Sequence, residues 1–218
     1  MDLQSQAEMF RMQKPLEEVP AEWNLLQGMK CPMANMPIFT WFNETNAPHL
    51  YRDGLFALYL NHAPPYPELL PDPARAGMSF CHLLAVPTER IYNAATLRPT
   101  DETLIKHMRD KVKELMNDSE FRARVASAIR EKYMPAITSE KLLSTFSSQI
   151  YEFLYGTNGD SMDFFFHLHP NHSVGHLHMH CLAMDMLTDT FELLKYKNVH
   201  YTRTSSDSRK PCKSHTWS

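Results

Sequence analysis

The sequence predicts one α+β domain, in which antiparallel strands pack against helices, and two observations lead to this prediction. Apolar residues recur at helical spacing in three consecutive segments between residues 100 and 155. Short apolar or alternating runs that are typical of strands lie on both sides of this helical block, at residues 50–60, 80–86, 163–169 and 176–184. Strands and helices that are segregated along a chain are typical of the α+β class.

The chain begins with polar residues 1–35, which contain scattered apolar positions and prolines and predict an N-terminal arm, not a separate domain. Strand character begins near residues 39–42, which read FTWF. The run LYRDGLFALYL at residues 50–60 predicts a hairpin, because an Asp-Gly pair between apolar runs favours a tight turn. We expect the domain that these strands open to extend from residue 36 to residue 200.

A proline-rich segment separates the hairpin from the next strand. Five prolines lie between residues 64 and 77, and proline at this density excludes a helix or a central strand. We expect an extended surface loop there. The apolar run FCHLLAV at residues 80–86 then predicts a buried strand that ends at Pro87.

Three helices follow the buried strand. Thr100 can cap the first helix, and two acidic residues favour its first turn. The second and third helices form a helical insertion at about residues 118–156, ahead of the last two strands. Residues 201–218 are polar and predict a mobile tail.

The composition limits the classes of function. The 22 basic and 25 acidic residues give a net charge of −3, so we expect neither general nucleic-acid binding nor membrane binding. The N-terminus lacks a signal peptide, and no run reaches the ~18–20 apolar residues of a membrane span. We therefore expect an intracellular protein, in the cytoplasm and with the nucleus as a second compartment, whose four cysteines are free thiols.

Three alternating histidines stand out near the end of the predicted domain. In a β-strand their side chains share one face and form a row about 13 Å long. The residues between them would point to the other face and enter the core. Since a strand has no structural need for three aligned imidazoles, this row indicates chemistry on phosphorus or on a metal. The histidines are His176, His178 and His180, and the core residues are Leu177, Met179 and Cys181.

A metal site is one interpretation of this row. Alternating histidines on a strand can supply two or three ligands to zinc and leave a position open for water. Candidates for a further ligand are Asp185, His82 and His172, and nothing in the sequence fixes their distance from the row.

Catalysis on phosphorus is the other interpretation. A neutral imidazole can attack an α-phosphorus and hold the nucleotidyl group as a phosphoramidate, provided that its other nitrogen is held by an acceptor. Flanking imidazoles can donate hydrogen bonds to the phosphoryl oxygens. The turn that precedes the row can add anion contacts through Asn171, His172 and Ser173.

The run HLHMHCL at residues 176–182 resembles the signature of the histidine-triad (HIT) superfamily, in which three histidines alternate with apolar residues. Ser173 matches a Ser or Thr that is common three residues before the first histidine. Residues 82–87, HLLAVP, resemble the family's strand that starts with His and ends with Pro. Residues 56–61 resemble the preceding strand, which ends in an Asp or Asn that binds ribose.

The chain also departs from the family pattern. The proline-rich loop replaces a short Pro-Gly turn, and the helical insertion is an addition. Asn171-His172 stands where the family often has Gly-Gln. The turn at residues 170–173 is similar to that of the scavenger mRNA decapping enzyme and aprataxin branches.

The resemblance implies a HIT-like antiparallel sheet with a packed helix and assigns roles to matching positions. His178 would be the nucleophile, and His180 would contact the phosphoryl and leaving-group oxygens. His176 would orient the nucleophile, and His82 would complete that network. Four polar residues would contact the nucleotide, namely Asn61 at the ribose and Asn171, His172 and Ser173 at the phosphate.

The sequence therefore predicts a nucleotide hydrolase or nucleotidyl transferase that cleaves a P–O–P or P–N bond through a covalent histidine–nucleotide intermediate. The resemblance implies no metal in the protein, although Mg²⁺ can accompany a polyphosphate substrate. The expected partner is a nucleotide substrate, with a nucleic-acid end or cap as one form of it, and a homodimer is compatible with the sequence. Two alternatives stay open: a non-enzymatic nucleotide-binding or sensing protein, and a zinc-dependent hydrolase that uses the histidine row.

Overall fold

The computed structural model describes residues 3–12, 38–167, 174–194 and 198–200, and its centre is an antiparallel sheet of six strands. The strands are ordered β1-β2-β3-β5-β4-β6, and every neighbouring pair is antiparallel. Their bounds are β1 Tyr51–Arg52, β2 Phe56–Leu60, β3 His82–Pro87, β4 Met162–His167, β5 Met179–Ala183 and β6 Asn198–His200.

Six α-helices accompany the sheet in the described part of the chain. Their bounds are α1 Leu3–Met12, α2 Ile38–Glu44, α3 Glu102–Asn117, α4 Ser119–Tyr133, α5 Glu140–Gly156 and α6 Asp189–Leu194. Two of them have an N-cap side chain that accepts a backbone N–H: Asp118 caps α4, and Ser139 caps α5. None of the helices in the described residues is long and apolar enough to cross a membrane.

The two faces of the sheet have different partners. On one face, which we call the helix-covered face, Leu83, Met179 and Cys181 are buried in the large core that α3, α4 and α5 complete. On the opposite face, which we call the histidine face, Leu84 and Val86 form a smaller core with the side chains of α2. Since side chains alternate along a strand, the even-numbered residues of β3 and β5 belong to the histidine face.

The α+β prediction is confirmed, with an antiparallel sheet and packed helices. The predicted hairpin at residues 50–60 forms β1 and β2, and Asp53 accepts the backbone N–H of Leu55 and of Phe56 at its turn. The three predicted helices are α3, α4 and α5. The predicted tail at residues 201–218 lies outside the described residues.

The prediction of a strand at residues 39–42 is wrong, because these residues belong to the helix α2. The aromatic residues favour a strand by intrinsic preference, but tertiary packing decides here. Ile38 and Phe39 are buried against Ala57 and Tyr59 of β2, and the ring of Phe42 packs on that of Phe39 at 6.0 Å. A single helical turn places all three apolar side chains toward the sheet.

The predicted histidine strand at residues 176–184 begins later than expected, because β5 starts at Met179. The backbone N–H of Leu177 donates to the carbonyl of Ile91 at 2.7 Å, so this segment bonds to a loop and not to a strand. His176 and His178 therefore lie ahead of the strand, and only His180 lies within it. The prediction that Leu177, Met179 and Cys181 enter the core is confirmed.

Candidate active site

The ring of His178 is held by a hydrogen bond to the backbone two residues earlier in the chain. Its Nδ1 donates to the backbone carbonyl of His176 at 2.8 Å. In a neutral imidazole only one nitrogen carries a proton, so this bond leaves the lone pair on Nε2. The ring packs on that of Phe39, with the centroids 4.7 Å apart, and the residue is 8% exposed.

The side chain of His176 has a different direction from the rest of the row. Its Nε2 donates to the carbonyl of Pro87 at 3.0 Å, and its Nδ1 lies 2.7 Å from the hydroxyl of Thr40, which therefore donates. The edge of the Phe10 ring packs against it. Burial lowers the pKa of His176 to about 4, so the ring is neutral at neutral pH. What His176 offers to His178 is its backbone carbonyl, not its imidazole.

A chain of hydrogen bonds, which we call the histidine relay, fixes the proton of His180. The backbone N–H of Met78 donates to Nδ1 of His82 at 3.3 Å, and Nδ2 of Asn61 lies 3.0 Å from the same nitrogen. Because both groups are donors, the proton of His82 must be on Nε2. That Nε2 lies 2.9 Å from Nδ1 of His180 and donates to it. His180 therefore carries its own proton on Nε2.

The proton-bearing Nε2 of His180 is buried, and it has no hydrogen-bond partner among the described residues. Burial, and then the neighbouring imidazoles, hold the pKa of His180 well below its ordinary value, and burial lowers the pKa of His82 to about 3. Both rings are therefore neutral at neutral pH. Since an unsatisfied buried N–H is costly, this donor indicates a ligand that accepts a hydrogen bond.

His167 joins the site; its alternation with His169 in the sequence left two interpretations open, an extension of the site or exposure to solvent. It ends β4, whose register pairs Phe165 with His180, and continuing this register by two residues brings His167 opposite His178. Its ring centroid lies 4.3 Å from that of His180 and 6.5 Å from that of His178. The sequence signal for His167 was its position on the predicted strand that directly precedes the histidine row.

The structure brings together four imidazoles on the histidine face. The ring centroids of His178 and His180 are 4.9 Å apart, and those of His82 and His180 are 5.2 Å apart. His167, His178 and His180 could together hold a metal ion, because one nitrogen from each lies within 4.8 Å of the other two. The site thus combines an imidazole lone pair, on His178, with an imidazole N–H donor, on His180.

The predicted nucleotide contacts are only partly within the described residues. Asn61 follows β2, and its amide approaches His82; its role as a ribose contact stays a prediction. Asn171, His172 and Ser173 lie outside the described residues, so their predicted phosphate contacts stay predictions as well.

The end of the proline-rich loop and one residue of the helical insertion contact members of the histidine relay. The loop ends at Met78, which supplies the backbone N–H to His82, and the hydroxyl of Thr188 holds the preceding carbonyl of Gly77 at 2.6 Å. The insertion packs on the helix-covered face, away from the imidazoles. Its Tyr133 reaches the end of β2 and donates its hydroxyl to the carbonyl of Asn61 at 2.6 Å.

No protein-family model matches the chain, and no curated protein matches it. Similar solved structures include a HIT family hydrolase from Legionella pneumophila Philadelphia 1 and a histidine triad protein from Clostridium difficile. Each is 12% identical to this chain and covers 67% of it, with TM-scores of 0.39 and 0.37 and with 91% and 89% of the other chain covered. At this identity and TM-score, the likeness says nothing about the activity of the chain.

Proposed function

We propose that this protein is a nucleotide hydrolase or nucleotidyl transferase of the HIT type, in which His178 attacks the 5′-phosphorus of a nucleotide. The observation that carries the proposal is the hydrogen bond from Nδ1 of His178 to the carbonyl of His176, which supports an Nε2 lone pair. A nucleophilic imidazole needs this tautomer. The match of residues 176–182 to the histidine-triad signature supports the same assignment.

In the first step, the Nε2 lone pair of His178 forms a bond to the α-phosphorus, and the bond from phosphorus to the leaving group breaks with its electron pair. The imidazole becomes a phosphorylated imidazolium, whose positive charge is shared with the carbonyl of His176 through the Nδ1 proton. A phosphate leaving group departs as an anion. An amine leaving group from a P–N bond also takes up one proton from solvent.

His180 stabilises the charge that builds on the phosphoryl oxygens in this step. Its buried Nε2–H is the donor whose partner the described residues do not supply. Donors that are fixed before the reaction stabilise developing negative charge without reorganisation. The relay of Met78, Asn61 and His82 keeps that proton on Nε2 and so acts on the substrate through His180.

In the second step, water or another acceptor attacks the phosphorus on the opposite side of the P–N bond, and His178 leaves with its lone pair restored. The attacking oxygen loses its proton to solvent, and a nucleoside monophosphate or a transferred nucleotide is the product. The residues of this mechanism need no metal in the protein, and Mg²⁺ can accompany a polyphosphate substrate. Candidate substrates are dinucleoside polyphosphates, nucleoside phosphoramidates, cap remnants and adenylated nucleic-acid ends.

A hydrolysis screen tests the proposal, with the wild type, His178→Ala and the control His49→Ala, since His49 is an exposed histidine whose ring bonds to the carbonyl of Ala47 and packs on Tyr59. The panel holds one compound of each candidate class, with chelator and again with Mg²⁺. We expect release of a nucleoside monophosphate from at least one compound by the wild type and by His49→Ala. His178→Ala should be at least about 1,000-fold slower, as expected for loss of a nucleophile.

Two outcomes contradict the proposal. Equal turnover by His178→Ala, with its fold confirmed by circular dichroism, would exclude His178 as the nucleophile. Nucleotide binding without turnover of any compound would indicate a binding or sensing protein instead.

A further inference from the structure

We propose that His167, His178 and His180 form a binding site for one divalent transition-metal ion, with Zn²⁺ the best match, and that the ion and the nucleotide exclude each other. The metal site itself does not depend on the proposed function. Only the exclusion rests on it.

The donor set fits zinc in number, type and spacing. One ring nitrogen from each of the three histidines lies within 4.8 Å of the others. Zinc binds imidazole nitrogen at about 2.0–2.1 Å, so that two ligand nitrogens of a tetrahedral site are about 3.3 Å apart. The widest pair therefore has to close by at most about 1.5 Å, which side-chain rotation can supply. Three histidines with a fourth position open is the ligand set of catalytic zinc sites.

The sheet holds these ligands at adjacent backbone positions. His180 lies within β5, His178 directly precedes that strand, and His167 ends the neighbouring strand β4. Continued by two residues beyond the pair Phe165–His180, the β4–β5 register brings His167 across from His178. Ligands that project from paired strands keep their relative positions better than ligands on loops.

The ring of His178 already has the outer contact that metal-binding histidines usually have. Its Nδ1 donates to the carbonyl of His176 at 2.8 Å, and such a contact orients the ring and presents the other nitrogen to the metal.

His180 can present a lone pair after a shift of protons along the relay. His82 gives its Nε2 proton to Nδ1 of His180 across the 2.9 Å contact, His180 releases its Nε2 proton to solvent as the metal binds, and His82 takes up one proton from solvent on Nδ1. Asn61 can rotate its amide so that its oxygen accepts that proton, because the amide is 3.0 Å from His82, and the N–H of Met78 then gives up its longer contact of 3.3 Å with the same nitrogen. The number of protons does not change. The relay therefore has one state that presents N–H to an anion and one state that presents a lone pair to a metal.

The buried Nε2 of His180 is the second observation that points to a ligand, since it has no partner among the described residues. A nucleotide or a metal can each satisfy this position, in different states of the relay. They cannot do so together, because the Nε2 lone pair of His178 either binds the ion or attacks phosphorus.

Direct metal titration tests the site without any nucleotide. Metal-free wild type, His167→Asn and the control His49→Asn are titrated with Zn²⁺ against a chromophoric chelator, and Co²⁺ is used in parallel for its visible spectrum. We expect one Zn²⁺ per chain for the wild type and the control, and intense bands of four-coordinate Co²⁺. His167→Asn should bind at least about 100-fold more weakly.

Equal affinity of wild type and His167→Asn, or a Co²⁺ spectrum without the four-coordinate bands, would overturn the site. His167→Gln, with its fold checked by circular dichroism, repeats the comparison so that a misfolded Asn variant does not decide it.

A second measurement tests the exclusion, with the nucleotide that the hydrolysis screen identifies. Zn²⁺ should inhibit the wild type and chelator should restore it, whereas His167→Asn, which retains His178 and His180, should need at least about 100-fold more Zn²⁺. Activation by Zn²⁺, or loss of activity in chelator, would overturn the exclusion. If one Zn²⁺ binds but no nucleotide is turned over, the metal site stands and the proposed function fails.

Discussion

At the scale of single residues, each histidine of the site is defined by which of its ring nitrogens carries the proton. Backbone groups decide this in three cases: the carbonyls of His176 and Pro87 accept, and the N–H of Met78 donates. These backbone groups cannot change between donor and acceptor, so they favour one tautomer of each ring in the metal-free protein. His178 thereby presents a lone pair on Nε2, and His180 presents an N–H.

The relay predicts different outcomes for two substitutions of His82. His82→Leu removes the donor to Nδ1 of His180, so the His180 proton is no longer fixed on Nε2, and kcat should fall about 10- to 100-fold. His82→Gln places an amide N–H near the former Nε2 and should retain most of the activity. Steady-state kinetics with an identified substrate measures both. Equal losses in the two variants would show that His82 only fills space.

Thr40 offers a test of how firmly His176 is held. Its hydroxyl donates to Nδ1 of His176 in the buried interior, so Thr40→Val leaves a buried acceptor unsatisfied at almost unchanged volume. The free energy of unfolding should fall by about 1–3 kcal/mol in urea denaturation. The control Thr145→Val, at an exposed position of α5, should change it by less than about 0.5 kcal/mol. A loss in Thr40→Val no larger than in this control would contradict the contact.

The sequence could identify which histidines matter but not how they are protonated. The spacing of His176, His178 and His180 already separates them from the core residues between them. The tautomer of His176 depends on Pro87, 89 residues away, and that of His180 depends on His82, 98 residues away, and no local pattern predicts such contacts. The different direction of the His176 ring has the same cause, because Thr40 and Pro87 hold it.

At the scale of elements, α2 covers one side of the His178 ring. Phe39 packs on the ring of His178, and the neighbouring Phe42 packs on Phe39 and on Tyr59 of β2. The short helix thus forms one wall of the site. Local sequence preference indicated a strand here, and the requirement to cover the histidine face decided otherwise.

Phe39→Ala should expose His178 to reagents. Removing this ring opens one side of the imidazole, so diethyl pyrocarbonate should modify His178 several times faster than in the wild type, as followed by peptide mass spectrometry. The substitution also costs about 3 kcal/mol of stability, so the reaction is run far below the unfolding temperature.

The control for this prediction is Phe42→Ala, which lies on the same helix and contacts Phe39. It should leave the modification rate of His178 closer to that of the wild type. If Phe42→Ala accelerates the modification as much as Phe39→Ala does, the cover is a property of the whole helix and not of the Phe39 ring.

At the scale of the whole molecule, the large core and the site imidazoles lie on opposite faces of the sheet. The helix-covered face buries the large core with α3, α4 and α5, and the opposite face carries the imidazoles. The alternation of residues 176–181 predicted that the histidines and the core residues lie on opposite faces. The sequence could not predict that the insertion packs on the helix-covered face, because long-range contacts of Tyr133 and its neighbours fix that position.

The buried neutral histidines make the molecule sensitive to acid. The pKa of His176 falls from 6.5 to about 4 on folding, so below pH 6.5 the unfolded state binds more protons than the folded state. Stability should therefore decrease as the pH falls from 6.5 toward 4, by about 2 kcal/mol from His176 alone at about pH 5. His82, with a pKa of about 3, acts in the same direction.

Urea denaturation at about pH 7 and about pH 5 measures this change. His176→Gln, which starts from a lower stability at neutral pH, should lose part of the pH dependence. A free energy of unfolding that is the same at both pH values would show that these imidazoles are not held neutral by burial.

The measurement that tests the central claim most directly is intact-protein mass spectrometry after rapid mixing with a nucleotide that the protein hydrolyses, quenched without acid because a phosphoramidate is acid-labile. The account predicts a transient mass increase of one nucleotidyl group, located by peptide mapping on His178 and absent in His178→Ala. Turnover without any adduct, or an adduct that persists in His178→Ala, would contradict the covalent mechanism.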